Sequence, residues 1–281
     1  MNTKTFFSKF ISFSEKWTKY KKWIAPLPLG WIVMSDYCLD DKNKNDCITF
    51  TICPMMPNDE LSPVLEKKLP KDIKDMAKVS DDVIKFLRDA YPFFTISILI
   101  REKKKIGNID DFKIDIKNFK ESPYLNSKQQ KQFNKFDNYL KKKNINHKVL
   151  ENMRLIIFMF TRIVEFLAVK HYTEEIHWFP DRDAVMDVSD RIILDLINTQ
   201  CTNLLYGRRI PPKLIVGLED KEKGIFVFDP LVRYPDIITG VVSSIDFEHG
   251  GTEKEKHFDL LVNAILENPR ITCTSVAVLP M

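Results

Sequence analysis

Three aspartates lie where an apolar run gives way to a turn or a helix start, and their chemistry is that of a hydrolytic metal site. Asp36 closes the run Leu29–Asp36 (LGWIVMSD), Asp181 follows Glu175–Phe179 (EIHWF) and Pro180, and Asp236 falls in the first turns of a helix predicted over residues 230–246. Carboxylates gathered in one place repel one another, so at least one pKa rises unless a cation compensates. A hard divalent ion such as Mg²⁺ takes oxygen ligands. Ions held this way align a water and stabilise the charge on a leaving oxygen in phosphodiester cleavage. Taken singly, the same residues have plainer uses: Asp36 as a turn acid, Asp181 as a cap, Asp236 as an early-helix acid where negative charge is favoured. Arg182 and Asp183 extend the set, the first as a phosphate contact or a surface ion pair, the second as an assisting acid or a first-turn acid.

The elements that must position these residues follow from periodicity. Leu29–Asp36 and Cys47–Cys53 (CITFTIC) flank the polar turn DDKNKND and read as a hairpin. Phe93–Ile100 (FFTISILI) is almost continuously apolar, as a strand buried on both faces is. Shorter strands are predicted at Glu175–Phe179, Lys213–Leu218 and Gly224–Phe228, with an edge strand at Ile271–Leu279. Helices are predicted over 71–91, 149–171, 187–206, 230–246 and 255–268. Strands alternate with helices after the opening hairpin, so the fold class is α/β, a mixed sheet covered by helices. In such sheets ligands collect at the carboxyl ends of strands.

Composition removes several other functions. The 281 residues contain eight glycines and neither G-x-G-x-x-G nor a Walker A motif, which argues against a Gly-rich nucleotide loop. There is no G-x-S-x-G elbow, and no cysteine stands in a nucleophile context. Five cysteines without C-x-x-C spacing fit buried thiols in a reducing, cytoplasmic setting, and the five histidines make no zinc pattern with them. No apolar run approaches a membrane span, and a secretory leader is not expected. The net charge of +4 is too small for a general nucleic-acid binder. Segment 101–148 is locally rich in lysine, without strong apolar periodicity, and reads as a basic insertion that either meets phosphates or is merely solvated. Residues 3–24 carry Phe6, Phe10, Phe13, Trp17, Tyr20 and Ile24 at helical spacing with lysines between. That amphipathic helix suits a protein partner or a membrane surface, although such stripes more often pack on their own domain. The domain reading is residues 1–28 as this helix and 29–281 as one α/β domain carrying the insertion.

On these motifs the chain resembles a bacterial domain-of-unknown-function family with an RNase H-like core. In that pattern one Asp ends the first strand, an Asp followed by Arg ends a later strand, and a late helix carries a third Asp. The matching stretches are IVMSD with Asp36, HWFPDRD with Asp181 and Arg182, and FVFDPLVRYPDIITGVV with Asp236, and they span roughly residues 29–246. The resemblance implies a metal-dependent nuclease acting on RNA or DNA, with Mg²⁺ or Mn²⁺ held by Asp36, Asp181 and Asp236. Glu66 assists, with Glu60 behind it, and nucleic acid is the partner. For a bacterial nuclease of that type, phage defence or toxin action is the setting left open. Tyr37 occupies the place of the second acid often found after the first Asp. The alternative is therefore a catalytically inactive RNase H-like module that binds protein or nucleic acid. A further nuclease pattern, Pro180-Asp181 followed by Glu219-x-Lys221, is separated by a whole predicted helix.

Overall fold

A computed structural model describes residues 15–26, 28–55, 58–71, 79–89, 92–100, 109–142, 144–181, 184–189, 191–207, 210–217, 228–246, 251–252 and 256–276. In chain order these form helix α1 (residues 15–23), strands β1 (Gly30–Cys38) and β2 (Cys47–Pro54), helices α2 (Asn58–Lys68) and α3 (Asp81–Asp89), and strand β3 (Phe94–Ile100). Helices α4 (Ile109–Lys120), α5 (Ser127–Leu140) and α6 (His147–His171) follow, then strand β4 (Glu175–Pro180), a 3₁₀ turn at Ala184–Asp187, helix α7 (Ile192–Leu205) and strand β5 (Lys213–Val216). The chain ends its described course with helix α8 (Asp229–Ser243), the short ribbon β6 (Ile245–Asp246) and β7 (Gly251–Thr252), helix α9 (Lys256–Glu267) and strand β8 (Ile271–Val276). Among the described residues, no helix is long and apolar enough to cross a membrane.

The architecture is α/β. The main sheet has six strands in the order β5-β4-β1-β2-β3-β8, with β1–β2 and β2–β3 antiparallel and β3–β8 parallel. The expected strand ends hold to within two residues for β1, β2, β3, β4 and β5, and β8 is an edge strand. The strand predicted at Gly224–Phe228 lies largely outside the described residues.

The chain divides into two compact units. The first comprises Met1–Arg101, His177–Asp181 and Ile215–Ala277, and the second Glu102–Ile176, Arg182–Leu214 and Val278–Met281. The core of the first lies between the sheet and its helices. Ile32, Met34, Cys47, Cys53 and Leu99 from the strands meet Leu231, Tyr234, Ile238, Val241 and Val242 of α8, with Leu61 and Leu65 of α2 and Leu261 and Ile265 of α9 around them. Each such side chain contributes about 1.5–3 kcal/mol when fully buried, which is what fixes α8 on the strands. Helix α2 was not anticipated, because Pro63 inside it and its charged, weakly apolar composition hide the pattern of Leu61, Leu65 and Leu69. Of the helix predicted over 71–91, residues 81–89 are helical, and 72–78 lie outside the described residues.

The described part of the N-terminal helix packs on its own unit. Trp17 is buried with its ring against Trp31 and edge-on to Phe94, and the Tyr20 hydroxyl donates to the Pro92 carbonyl. Phe6, Phe10 and Phe13 lie outside the described residues.

Segment 101–148, expected as polar helix, loop or both without strong apolar periodicity, contains the helices α4 and α5 with an apolar stripe the sequence reading did not find. Phe112 and Ile116 of α4, and Phe133, Phe136 and Leu140 of α5, are buried at three- and four-residue spacing. The stripe is narrow and the lysines around it are exposed, so average hydropathy conceals it. Asn126 opens α5 with a reciprocal capping box to Gln129, and Asn146 caps α6. Arg154 of α6 reaches Asp115 at 2.9 Å and Asp111 at 3.3 Å on α4.

Candidate functional site

β1 carries alternate side chains to opposite faces, so Ile32, Met34 and Asp36 point the same way, toward the face that α8 covers. Asp36 is therefore a carboxyl at the end of an apolar row, only 6 % exposed. Its cross-strand partner is Thr49, whose hydroxyl is 2.9 Å from Ser97 on β3. β4 runs beside β1, and the Asp181 backbone N–H donates to the Ser35 carbonyl at 2.7 Å. That bond sets Asp181 beside the residue preceding Asp36. Asp236 is supplied by α8, where Pro230 stands at the helix start and Pro235 inside the helix. Pro235 brings no N–H for the carbonyl four residues earlier.

The three aspartates line one pocket of about 320 Å³, together with Tyr37, Cys38, Lys44, Lys71, Asp229, Val232, Arg233, Thr239 and Gly240. All of these residues belong to the first unit. Burial, then the charges of Asp236 and Asp181, raise the Asp36 pKa well above the ordinary carboxyl value, while hydrogen bonds from the Thr239 hydroxyl and the Tyr37 backbone N–H act in the opposite direction. The Thr239 hydroxyl also lies 2.9 Å from the Pro235 carbonyl oxygen, and its single proton can serve only one of these acceptors at a time.

The predicted residues thus fall into three groups. Asp36, Asp181 and Asp236 come together. Glu66 and Glu60 stand exposed on α2 and do not line the pocket. Arg182, Asp183, Glu219 and Lys221 lie outside the described residues. Tyr37 directs its hydroxyl to Ser35 Oγ at 2.6 Å, and Ser35 Oγ also accepts from Trp178 Nε1 at 2.9 Å. Sequence reasoning missed Lys44, Lys71, Asp229, Arg233 and Thr239. Of these, only Asp229 and Arg233 carried a signal, the four-residue spacing of a helical ion pair. The pair forms, at 3.0 Å.

The donor set suits a hard cation. Three carboxylates and a hydroxyl are all oxygen ligands, of the kind Mg²⁺ and Mn²⁺ prefer, and a cation would relieve the repulsion on buried Asp36. The side chains do not form a ready-made cage: among the described residues, no group of three or more His, Cys, Asp or Glu is disposed to hold a metal ion. No family model matches the chain, and no curated protein matches it.

Proposed function

We propose that the protein is a metal-dependent nuclease that hydrolyses phosphodiester bonds of RNA or DNA, with Asp36, Asp181 and Asp236 as ligands for Mg²⁺ or Mn²⁺. The observation that carries this reading is the convergence of three sequence-distant aspartates on one pocket, where burial and then the charges of the other two push the Asp36 pKa up. A buried acid whose pKa is shifted by burial and by neighbouring acids in a cleft is a functional-site candidate. A divalent ion bound there supplies charge neutralisation and water activation for the attack on phosphorus. The chain's own contribution is rigidity. Asp36 is fixed by two flanking strands, Asp181 by its backbone bond to β1, and Asp236 by a helix whose apolar face is sealed on the sheet.

The adjacency of β1 and β4, with Asp36 two residues before the end of the one and Asp181 directly after the other, supports an RNase H-like arrangement of the site. The inactive-module reading draws on Tyr37, which supplies no carboxylate where a second acid is expected and whose hydroxyl is engaged with Ser35. One assay separates the two. The protein and its Asp236→Asn variant are incubated with labelled single- and double-stranded RNA and DNA and an RNA–DNA hybrid, in Mg²⁺, Mn²⁺ or EDTA. Metal-dependent cleavage by the unaltered protein alone is expected. Undiminished cleavage by Asp236→Asn sinks the assignment.

A further inference from the structure

The pocket has two kinds of charge, and its cations are not equivalent. Arg233 is committed to the protein: Nη2 donates to Asp229 Oδ2 at 3.0 Å, Nε donates to the same oxygen at 3.3 Å, and Nη1 reaches the Leu69 carbonyl at 3.4 Å. Lys44 and Lys71 line the same pocket and make no ion pair among the described residues. Elsewhere Lys113, Lys120, Lys141 and Lys213 each stand within 3.4 Å of a carboxylate oxygen. Beside the Asp229–Arg233 pair, the pocket is lined by Asp36, Asp181 and Asp236 and by two ammonium groups suited to an anion.

Lys44 is also held in place by more than its own strand ends. It sits in the turn between β1 and β2, where the Asp40 N–H donates to Asp46 Oδ1 at 2.6 Å. The next residue, Asn45, is latched to the end of α8. Its backbone N–H donates to the Ser243 carbonyl at 2.8 Å, and its side-chain amide donates to the Ser243 and Ile245 carbonyls at 3.0 and 2.9 Å. The turn is thereby pinned to the helix that brings Asp236.

We propose that Lys44 and Lys71 bind the phosphate oxygens of a polynucleotide backbone whose phosphodiester enters the acidic pocket. The substrate class rests on the nuclease reading, and the two lysines are positioning residues of that site. A lysine ammonium is a compact point charge that suits a phosphate oxygen, and each phosphate contact adds to the salt dependence of binding.

The test is equilibrium binding in Mg²⁺, read by fluorescence anisotropy of labelled single-stranded DNA and RNA oligonucleotides, with Asp236→Asn as the background. Adding Lys44→Ala and Lys71→Ala is expected to weaken binding about tenfold or more and to reduce the salt slope by about 1.4, at about 0.7 for each single-strand phosphate contact. The Lys44→Arg and Lys71→Arg pair restores both, which shows that the alanine pair has lost charge and not its fold. Unchanged affinity and slope in the alanine variant overturn the proposal. So does displacement of the oligonucleotide by inorganic phosphate as effectively as by unlabelled oligonucleotide at equal phosphate concentration, since the site would then be one for free phosphate. Lysine-dependent binding without any cleavage keeps this inference and removes the nuclease reading. Metal-dependent cleavage with lysine-independent binding does the reverse.

Discussion

The pocket acids of the first unit and the helix acids of the second are set in opposite surroundings, although Asp229 of the first unit is paired with Arg233. In the second, Asp110 pairs with Lys113, Asp111 and Asp115 share Arg154, and Asp137 lies between Lys141 and Lys120. In the first, burial and then the charges of Asp236 and Asp181 raise the cost of ionising Asp36. Acids with cations beside them serve the fold. Acids crowded together, one of them 6 % exposed, make ionisation of that one costly. Position within an element does not make the distinction, since Asp115 is also raised by burial, yet it keeps its arginine.

The sharpest way to break that contrast is Asp236→Asn. Cleavage is expected to fall more than about 100-fold, beyond the usual loss for an outer-shell partner of a metal, while circular dichroism and melting stay those of a folded chain. A fall of only a fewfold would place Asp236 among the structural acids.

Next in size is the thermal effect of metal. Mg²⁺ should raise the melting temperature of the unaltered protein, by the equivalent of about 2.7 kcal/mol at a hundredfold excess over its dissociation constant, and should leave Asp36→Asn unmoved. Equal shifts in both would locate the ion elsewhere.

Asp36→Asn should also stabilise the metal-free protein. The Asp36 pKa is raised in the folded state, so the native protein holds the proton more tightly than the unfolded chain does. Its contribution to stability is then lost as pH climbs from the ordinary carboxyl range through the raised value, and it stays lost above it. The variant's advantage is therefore greatest near about pH 7 and disappears toward about pH 4, the ordinary carboxyl range. Melting scans across that range read it, at roughly 2–4 °C per kcal/mol. A variant less stable than the parent at neutral pH would show that the aspartate is compensated after all.

In the second unit the signs reverse. Arg154→Ala should destabilise by about 1–2 kcal/mol, since it strips half-buried Asp115 of its partner while solvent screens part of the loss. Asp137→Asn is the smallest change. The hydrogen bond from Lys141, then Lys120, lowers the Asp137 pKa, so its contribution is present at neutral pH and fades as pH falls through that lowered value. As an exposed pair it should be worth less than about 0.5 kcal/mol in urea titrations.

How much of this was legible depended on whether the signal was local. β1 and β3 announced themselves through apolar runs, β2 through threonines alternating with apolar residues, and α8 through its apolar spacing despite Pro235. Helices α4 and α5 were hidden because two or three buried rings per helix are enough to anchor them while lysine dominates the count. The aspartates were recognisable at strand and helix ends, but the burial of Asp36 was not. It depends on α8 returning to β1 across nearly 200 residues, and no local pattern carries such a contact. Lys44 and Lys71 had no signature among so many lysines; they emerge only once Arg233, the other cation among the described residues lining the pocket, is paired with Asp229.

The second unit interrupts the first, and this has a consequence in biosynthetic time. Strands β1, β2 and β3 leave the ribosome roughly 130 residues ahead of α8, a delay of roughly 6–26 s at translation rates of about 5–20 residues per second. Through that interval the nascent sheet presents Ile32, Met34 and Leu99 uncovered, a hydrophobic face of the kind that chaperones hold. Two of the three aspartates are synthesised well before the third. A nascent chain or a product truncated before α8 therefore carries no complete acidic pocket, which closes only when synthesis of the first unit is nearly finished.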